Sequence, residues 1–208
     1  MKNLFKLFVI VLLLGYGTQT FAQTFAAKAG LNFTNLLVKD DDKTYSSDYK
    51  TKVGFHLGGT AEFGFTDMFS LETGLFLSTQ GYKVNNSLSD MTTNLFYLNI
   101  PIMGKARYEL NDDINLYGVF GPYIGFGLSG KIKSGDNSTS IDWGSSDDDD
   151  LKRFDFGWII GAGVEYGPFV GGLQYQLGLA NIAAQTDGGF RAKNRVFQIT
   201  FGYRFGLD

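Results

Sequence analysis

From residue 24 onward, apolar and polar residues alternate with a period of two. In 53–65 the apolar positions are Val53, Phe55, Leu57, Ala61, Phe63 and Phe65; His56, Thr60 and Glu62 stand between them, and glycines fill the remaining slots. Successive strand side chains point to opposite faces, so this segment has one greasy face and one polar face. The greasy face is rich in Phe, Tyr and Trp, and the polar face carries full charges. At roughly ten residues per segment, this pattern predicts a β-barrel whose outside touches lipid.

Eight such segments are predicted, near 24–36, 53–65, 69–81, 94–109, 114–130, 154–166, 169–181 and 194–205. The outward set includes Phe25 and Leu31, Phe69 and Leu77, Ile100 and Ile102, Phe120 and Leu128, Trp158 and Ile160, Leu173 and Tyr175, and Phe201 and Phe205. The inward set includes Lys28, Asn32, His56, Gln80, Asn99, Tyr117, Tyr123, Ser129, Gln174 and Gln198. Pro101 lacks a ladder donor, so it weakens the fourth strand or marks a bulge. Three connections are tight: Thr66-Asp67-Met68, Asn111-Asp112-Asp113 and Gly167-Pro168. Four are long and hydrophilic, roughly 37–52, 82–93, 131–153 and 182–193. Short turns on one side and long loops on the other predict an all-β fold, an eight-stranded antiparallel up-and-down transmembrane β-barrel. The long loops are then extracellular and both ends of the barrel periplasmic.

Residues 1–22 read as a signal peptide, not as fold. Lys2 and Lys6 form a positive start, Leu7–Leu14 is an apolar run too short to span a bilayer, and Thr20-Phe21-Ala22 offers a cleavage site. No Cys follows, which closes the lipoprotein route; residues 23–208 are expected to be a single barrel domain in the outer membrane of a Gram-negative-type bacterium. Zero Cys excludes disulfides and thiolate metal sites. A net charge of −3 speaks against nucleic acid as a partner.

Parity places Lys28, Lys105, Arg107 and Arg204 inside, together with Glu62, Glu72, Asp155 and Glu165. Charges enclosed in so narrow a bore must pair or hydrogen-bond, because an unpaired buried charge is too costly. Eight strands leave an interior that side chains fill, so these eight residues are expected to form a structural plug. His56, the only histidine, belongs to no recognisable Ser–His–acid motif and reads as a further interior polar group. No catalytic, cofactor or metal residues are assigned, and no enzyme activity is expected. Asp40-Asp41-Asp42 and Asp147 to Asp150 fall in outer loops and read as solvated runs without the spaced ligands of a calcium loop.

Tyr97-Leu98-Asn99-Ile100-Pro101-Ile102 followed by Lys105 resembles the YLEIPLLLK strand of the PorT-like outer-membrane β-barrel family, with Asn99 where that family usually has Glu. Gly121-Pro122-Tyr123, Phe154-Asp155-Phe156-Gly157, Gly161-Ala162-Gly163-Val164-Glu165-Tyr166, and Tyr175 with Gly178-Leu179 and Asn181-Ile182 match further stretches in order. The resemblance implies an exported barrel similar in architecture to small OmpX- or OmpA-type proteins, and a family in which some members assist secretion machinery. Thr200-x-Gly202-x-x-Phe205-x-Leu207 resembles the signal by which barrel-assembly machinery recognises a last strand. The expected function is that of a closed, monomeric barrel acting through its loops as a surface binding or structural protein. Its partners would be outer-membrane lipids, the assembly machinery and an unnamed extracellular or periplasmic ligand. The alternatives are a small passive, porin-like pore and an accessory of a secretion system. A lipid-modifying enzyme and a soluble lipocalin-like barrel with its faces reversed are further rivals.

Overall fold

Eight strands close into a ring: β1 (Gln23–Lys39), β2 (Tyr49–Gly64), β3 (Phe69–Asn86), β4 (Ser89–Asn111), β5 (Ile114–Ser134), β7 (Phe154–Tyr166), β8 (Phe169–Gly178) and β9 (Arg191–Phe205). A four-residue strand, β6 (Asn137–Ser140), lies outside the ring as an arm on β5. This computed structural model describes residues 23–41, 43–44, 49–86, 89–135, 137–144, 146 and 149–206. The leader expected over 1–22, Asp42, Asp147, Asp148 and Leu207 lie outside the described residues. Ring neighbours are antiparallel, and the pairing of β1 with β9, from Phe25↔Phe205 to Lys39↔Arg191, closes the sheet. Closure removes every edge from the ring, as a sheet in lipid requires.

The alternation sorts the faces. Phe25, Leu57, Phe120, Ile160 and Phe201 are exposed on the outside, while Lys28, Asn32, His56, Glu72, Asn99 and Gln198 are buried within. So many exposed large apolar groups would be an aggregation patch in water; around a closed ring they form a lipid-facing belt.

Four expectations need correction. Residues 82–93 are not a long loop: β3 and β4 stay paired out to Asn86↔Ser89. Their polar residues follow the composition of a hairpin that has left the hydrocarbon, not that of a loop. The last strands also shift, β8 ending at Gly178 and β9 starting at Arg191. Pro101 marks no bulge, since β4 keeps one register on either side of it. Its missing donor coincides with a gap in the β3 ladder between Thr73 and Phe76, where the Thr73 hydroxyl donates to the Pro101 carbonyl at 2.8 Å. Finally, Ser129 faces outward. The register with β4 slips from Tyr97↔Gly127 to Phe96↔Ser129, leaving Leu128 as an extra residue, and a bulge of one residue reverses parity beyond it.

Candidate functional site in the bore and at its mouth

At the end of the barrel that carries the short turns, seven charged side chains converge from six strands. Lys28 Nζ donates to Glu72 at 2.5 Å. Lys105 Nζ reaches Glu62 at 2.8 Å, Glu165 at 2.5 Å and Glu72 at 3.7 Å. Arg107 bridges Glu62 at 2.6 Å and Glu165 at 2.8 Å, and Arg204 binds Glu165 at 2.6 Å and the Gly167 carbonyl at 2.6 Å. Ser70 adds a hydrogen bond to Glu62 at 2.7 Å. Lys105 Nζ also lies 4.7 Å from the centre of the Tyr117 ring. Four cations face three carboxylates, and Arg107, the most exposed of the seven at 23%, lies where the surplus charge is most easily solvated.

Asp155, the eighth residue of the expected set, stands apart. It is ten residues from Glu165 on β7, about 33 Å along the strand. Its carboxylate instead accepts from the Tyr123 hydroxyl at 3.0 Å and from Asn194 Nδ2 at 2.9 Å.

The middle of the bore is held by hydrogen bonds between neutral groups. His56 Nδ1 donates to Asn32 Oδ1 at 2.7 Å, and Nε2 accepts from the Thr200 hydroxyl at 3.0 Å, so one tautomer satisfies both nitrogens. Asn32 Nδ2 continues to Ser78 at 2.9 Å, and Gln198 Nε2 donates to Asn32 Oδ1 at 3.0 Å. The ring fits because Gly30 lies opposite it; a Cβ there would meet the Ile199 carbonyl and come within 2.7 Å of His56 Cε1. Between this network and the ion pairs is a cavity of about 30 Å³ lined by Lys28, His56, Glu72, Asn99 and Gln198, room for about one or two waters.

At the opposite end the connections fold inward. Ile141 is buried against Leu95 and Tyr97, with the Trp143 ring edge-on to Tyr97 at 5.8 Å. Ile182 and Ala183 are buried on Leu36, Val38 and Ala192, and Leu151 bridges to both Trp143 and Ala183. This apolar lid is not legible in the sequence because Ile141, Trp143 and Leu151 stand singly in a hydrophilic segment, and Ile182 follows β8 in a short apolar run without period. Beside it opens a pocket of about 420 Å³, walled by Tyr49, Tyr82, Leu151 and Phe190 and bordered by Asp149, Asp150 and Asp187. The Asp149 carboxylate accepts from the Ser146 amide at 2.7 Å and that of Asp150 from the Asp142 amide at 2.9 Å. These acids therefore brace the loop. Among the described residues no group of three or more His, Asp or Glu is arranged to hold a metal.

The family model for the outer membrane protein beta-barrel domain matches residues 21–184. The chain belongs to this family. It is accordingly an integral protein of the outer membrane, and its aromatic outer face is the surface that meets lipid. Solved structures similar to this outer-membrane barrel include Ail, the attachment invasion locus protein of Yersinia pestis, at 19% identity over 88% of this chain and 98% of that one, with a TM-score of 0.44. Another is Neisserial surface protein A, at 11% identity over 88% and 97%, with a TM-score of 0.47. A de novo designed transmembrane β-barrel aligns at 14% identity over 90% and 98%, with a TM-score of 0.35. No curated protein matches the chain.

Proposed function

We propose that this barrel is closed to ions and acts at its loop-bearing end as a surface binding or structural protein, with that end outside the cell and both ends of the ring's chain on the periplasmic side. The reading rests on the filling of the bore: Glu62, Glu72 and Glu165 are locked to four cations at one end, and Ile141, Trp143, Leu151 and Ile182 cover the other. An eight-stranded bore is about as wide as the side chains it contains. The cluster of Lys28, Glu62, Glu72, Lys105, Arg107, Glu165 and Arg204 is thus a structural plug, and the mouth pocket is the place for a ligand with an apolar body. The barrel works as a monomer, since a closed ring has no strand edge left to share. The match of Tyr97–Lys105 to the PorT-like strand supports kinship with that branch of the family, some members of which assist secretion machinery; an accessory role there is the alternative reading.

Conductance tests the reading. Pure protein in a planar bilayer is expected to show no stable steps. Steady ion-selective steps that vanish on changing Lys105 or Glu165 would make the charged interior a path and the protein a pore.

A further inference from the structure

The outward face of β2–β5, just beyond the apolar belt at the loop end, carries lysines that register places side by side. The bulge at Leu128 leaves Leu128 and Ser129 both exposed and Gly130 buried, so the odd-numbered positions beyond it turn outward, Lys131 and Lys133 among them. Without that extra residue both lysines would point into the bore. A second irregularity, in β2 between Thr51 and His56, sets Lys50 directly opposite Lys83. Lys83 in turn faces Thr92, and Thr92 faces Lys133, giving one row across four strands. At roughly 4.8 Å per strand, Lys50, Lys83 and Lys133 lie within about 15 Å, and Lys131 is about 7 Å from Lys133 along β5.

Like charges directly opposite each other across an antiparallel pair are destabilising. Among the described residues, none of these four lysines is in an ion pair. Below them a groove of about 450 Å³ runs over Val53, Phe55 and Phe96, with Asn94, Lys131 and Lys133 at its rim. The floor is continuous with the lipid-facing belt; the rim is cationic. Such a surface is complementary to a molecule with an anionic head and a hydrocarbon body.

We propose that this groove binds a phosphate-bearing membrane lipid, its headgroup on Lys50, Lys83, Lys131 and Lys133 and an acyl chain along Phe55 and Phe96. The headgroup relieves the repulsion between Lys50 and Lys83 and joins strands β2 to β5 across the membrane surface. The site is independent of the mouth pocket, because it lies on the other face of the sheet.

The experiment is native mass spectrometry of the intact barrel in neutral detergent, titrated with bisphosphorylated lipid A, with its dephosphorylated form and with inorganic phosphate. A lysine at an anionic membrane surface contributes about fivefold in affinity, so the double variant Lys83→Gln, Lys133→Gln is expected to bind the phosphorylated lipid about 30-fold more weakly. Lys43→Gln, in the first outer loop, is expected to bind as wild type does. All three exposed substitutions leave the core untouched, and tryptophan emission checks that each variant is folded. Equal retention of phosphorylated and dephosphorylated lipid, or wild-type affinity in the double variant, overturns the proposal. Inorganic phosphate binding as tightly as the lipid overturns the lipid as occupant.

Discussion

Glu165→Gln is the substitution that most directly tests whether the plug is held by charge. Glu165 is fully buried and accepts from Lys105, Arg107 and Arg204 at 2.5, 2.8 and 2.6 Å. Glutamine keeps its shape and removes its charge. Lys105 then still has Glu62 and Glu72, and Arg107 still has Glu62. Arg204 is left with the Gly167 carbonyl and no carboxylate, although its side chain is only 9% exposed. Stranding a buried charge costs about 3–5 kcal/mol. With a urea slope of roughly 2 kcal/mol per M, the unfolding midpoint is expected to fall by about 2 M. The assay is reversible urea unfolding in phospholipid vesicles, followed by the emission of Trp143 and Trp158. Adding Arg204→Gln to Glu165→Gln is expected to recover part of the loss, because the stranded cation is gone; residues that share a bond are non-additive. A midpoint unmoved by Glu165→Gln, or strictly additive effects of the two changes, would show that these groups are solvated separately and that the plug is wet.

Leu57→Arg, mid-strand and outward, is expected to lose about 2–4 kcal/mol of folding free energy if it lies at the bilayer midplane; the same vesicle assay measures it, and a neutral result would reject the lipid-facing assignment. Gly30→Ala presses a methyl group on His56 and the Ile199 carbonyl, for an expected loss of about 1–3 kcal/mol; an unchanged midpoint would mean that ring and wall are not in contact. A cysteine at Ser138, on the exposed arm β6, is expected to react with an impermeant thiol reagent on intact cells, and one at Asp112 only after the outer membrane is opened. Labelling at Asp112 in intact cells would invert the orientation.

The ring and its two faces were legible because lipid on one side and a charged bore on the other leave a strong period-two signal, as in Phe197–Phe205 against Gln198–Arg204. Parity assigns a face but not a height, so the sequence alone does not separate Asp155 from the charges at the far end of the barrel. Bulges were illegible: Gly127-Leu128-Ser129-Gly130 reads as continued strand in either register, and only the pairing with Phe96 and Tyr97 reveals the extra residue. Residues 82–93 read as a loop in the sequence because a strand that rises out of hydrocarbon no longer needs an apolar face. The lid at the mouth escaped because its members meet only through the closed ring, and the neighbours Ile141, Leu151 and Ile182 carry no common spacing.

The closing of β1 on β9 bears on how the protein is made. The plug draws Lys28 from β1, Glu62 from β2, Glu72 from β3, Lys105 and Arg107 from β4, Glu165 from β7 and Arg204 from β9, with partners 33 to 60 residues apart in the chain. A chain threaded into hydrocarbon one hairpin at a time would carry several of these charges in bare, at a cost no single strand offsets. The pairs among β1 to β4 can form once β4 is in place, but the network is complete only at ring closure, when residues 191–205 bring Arg204 to Glu165. Folding by such distant contacts is slow, but it is also self-checking: a chain without β9 has an open seam and a Glu165 short of one of its three cations.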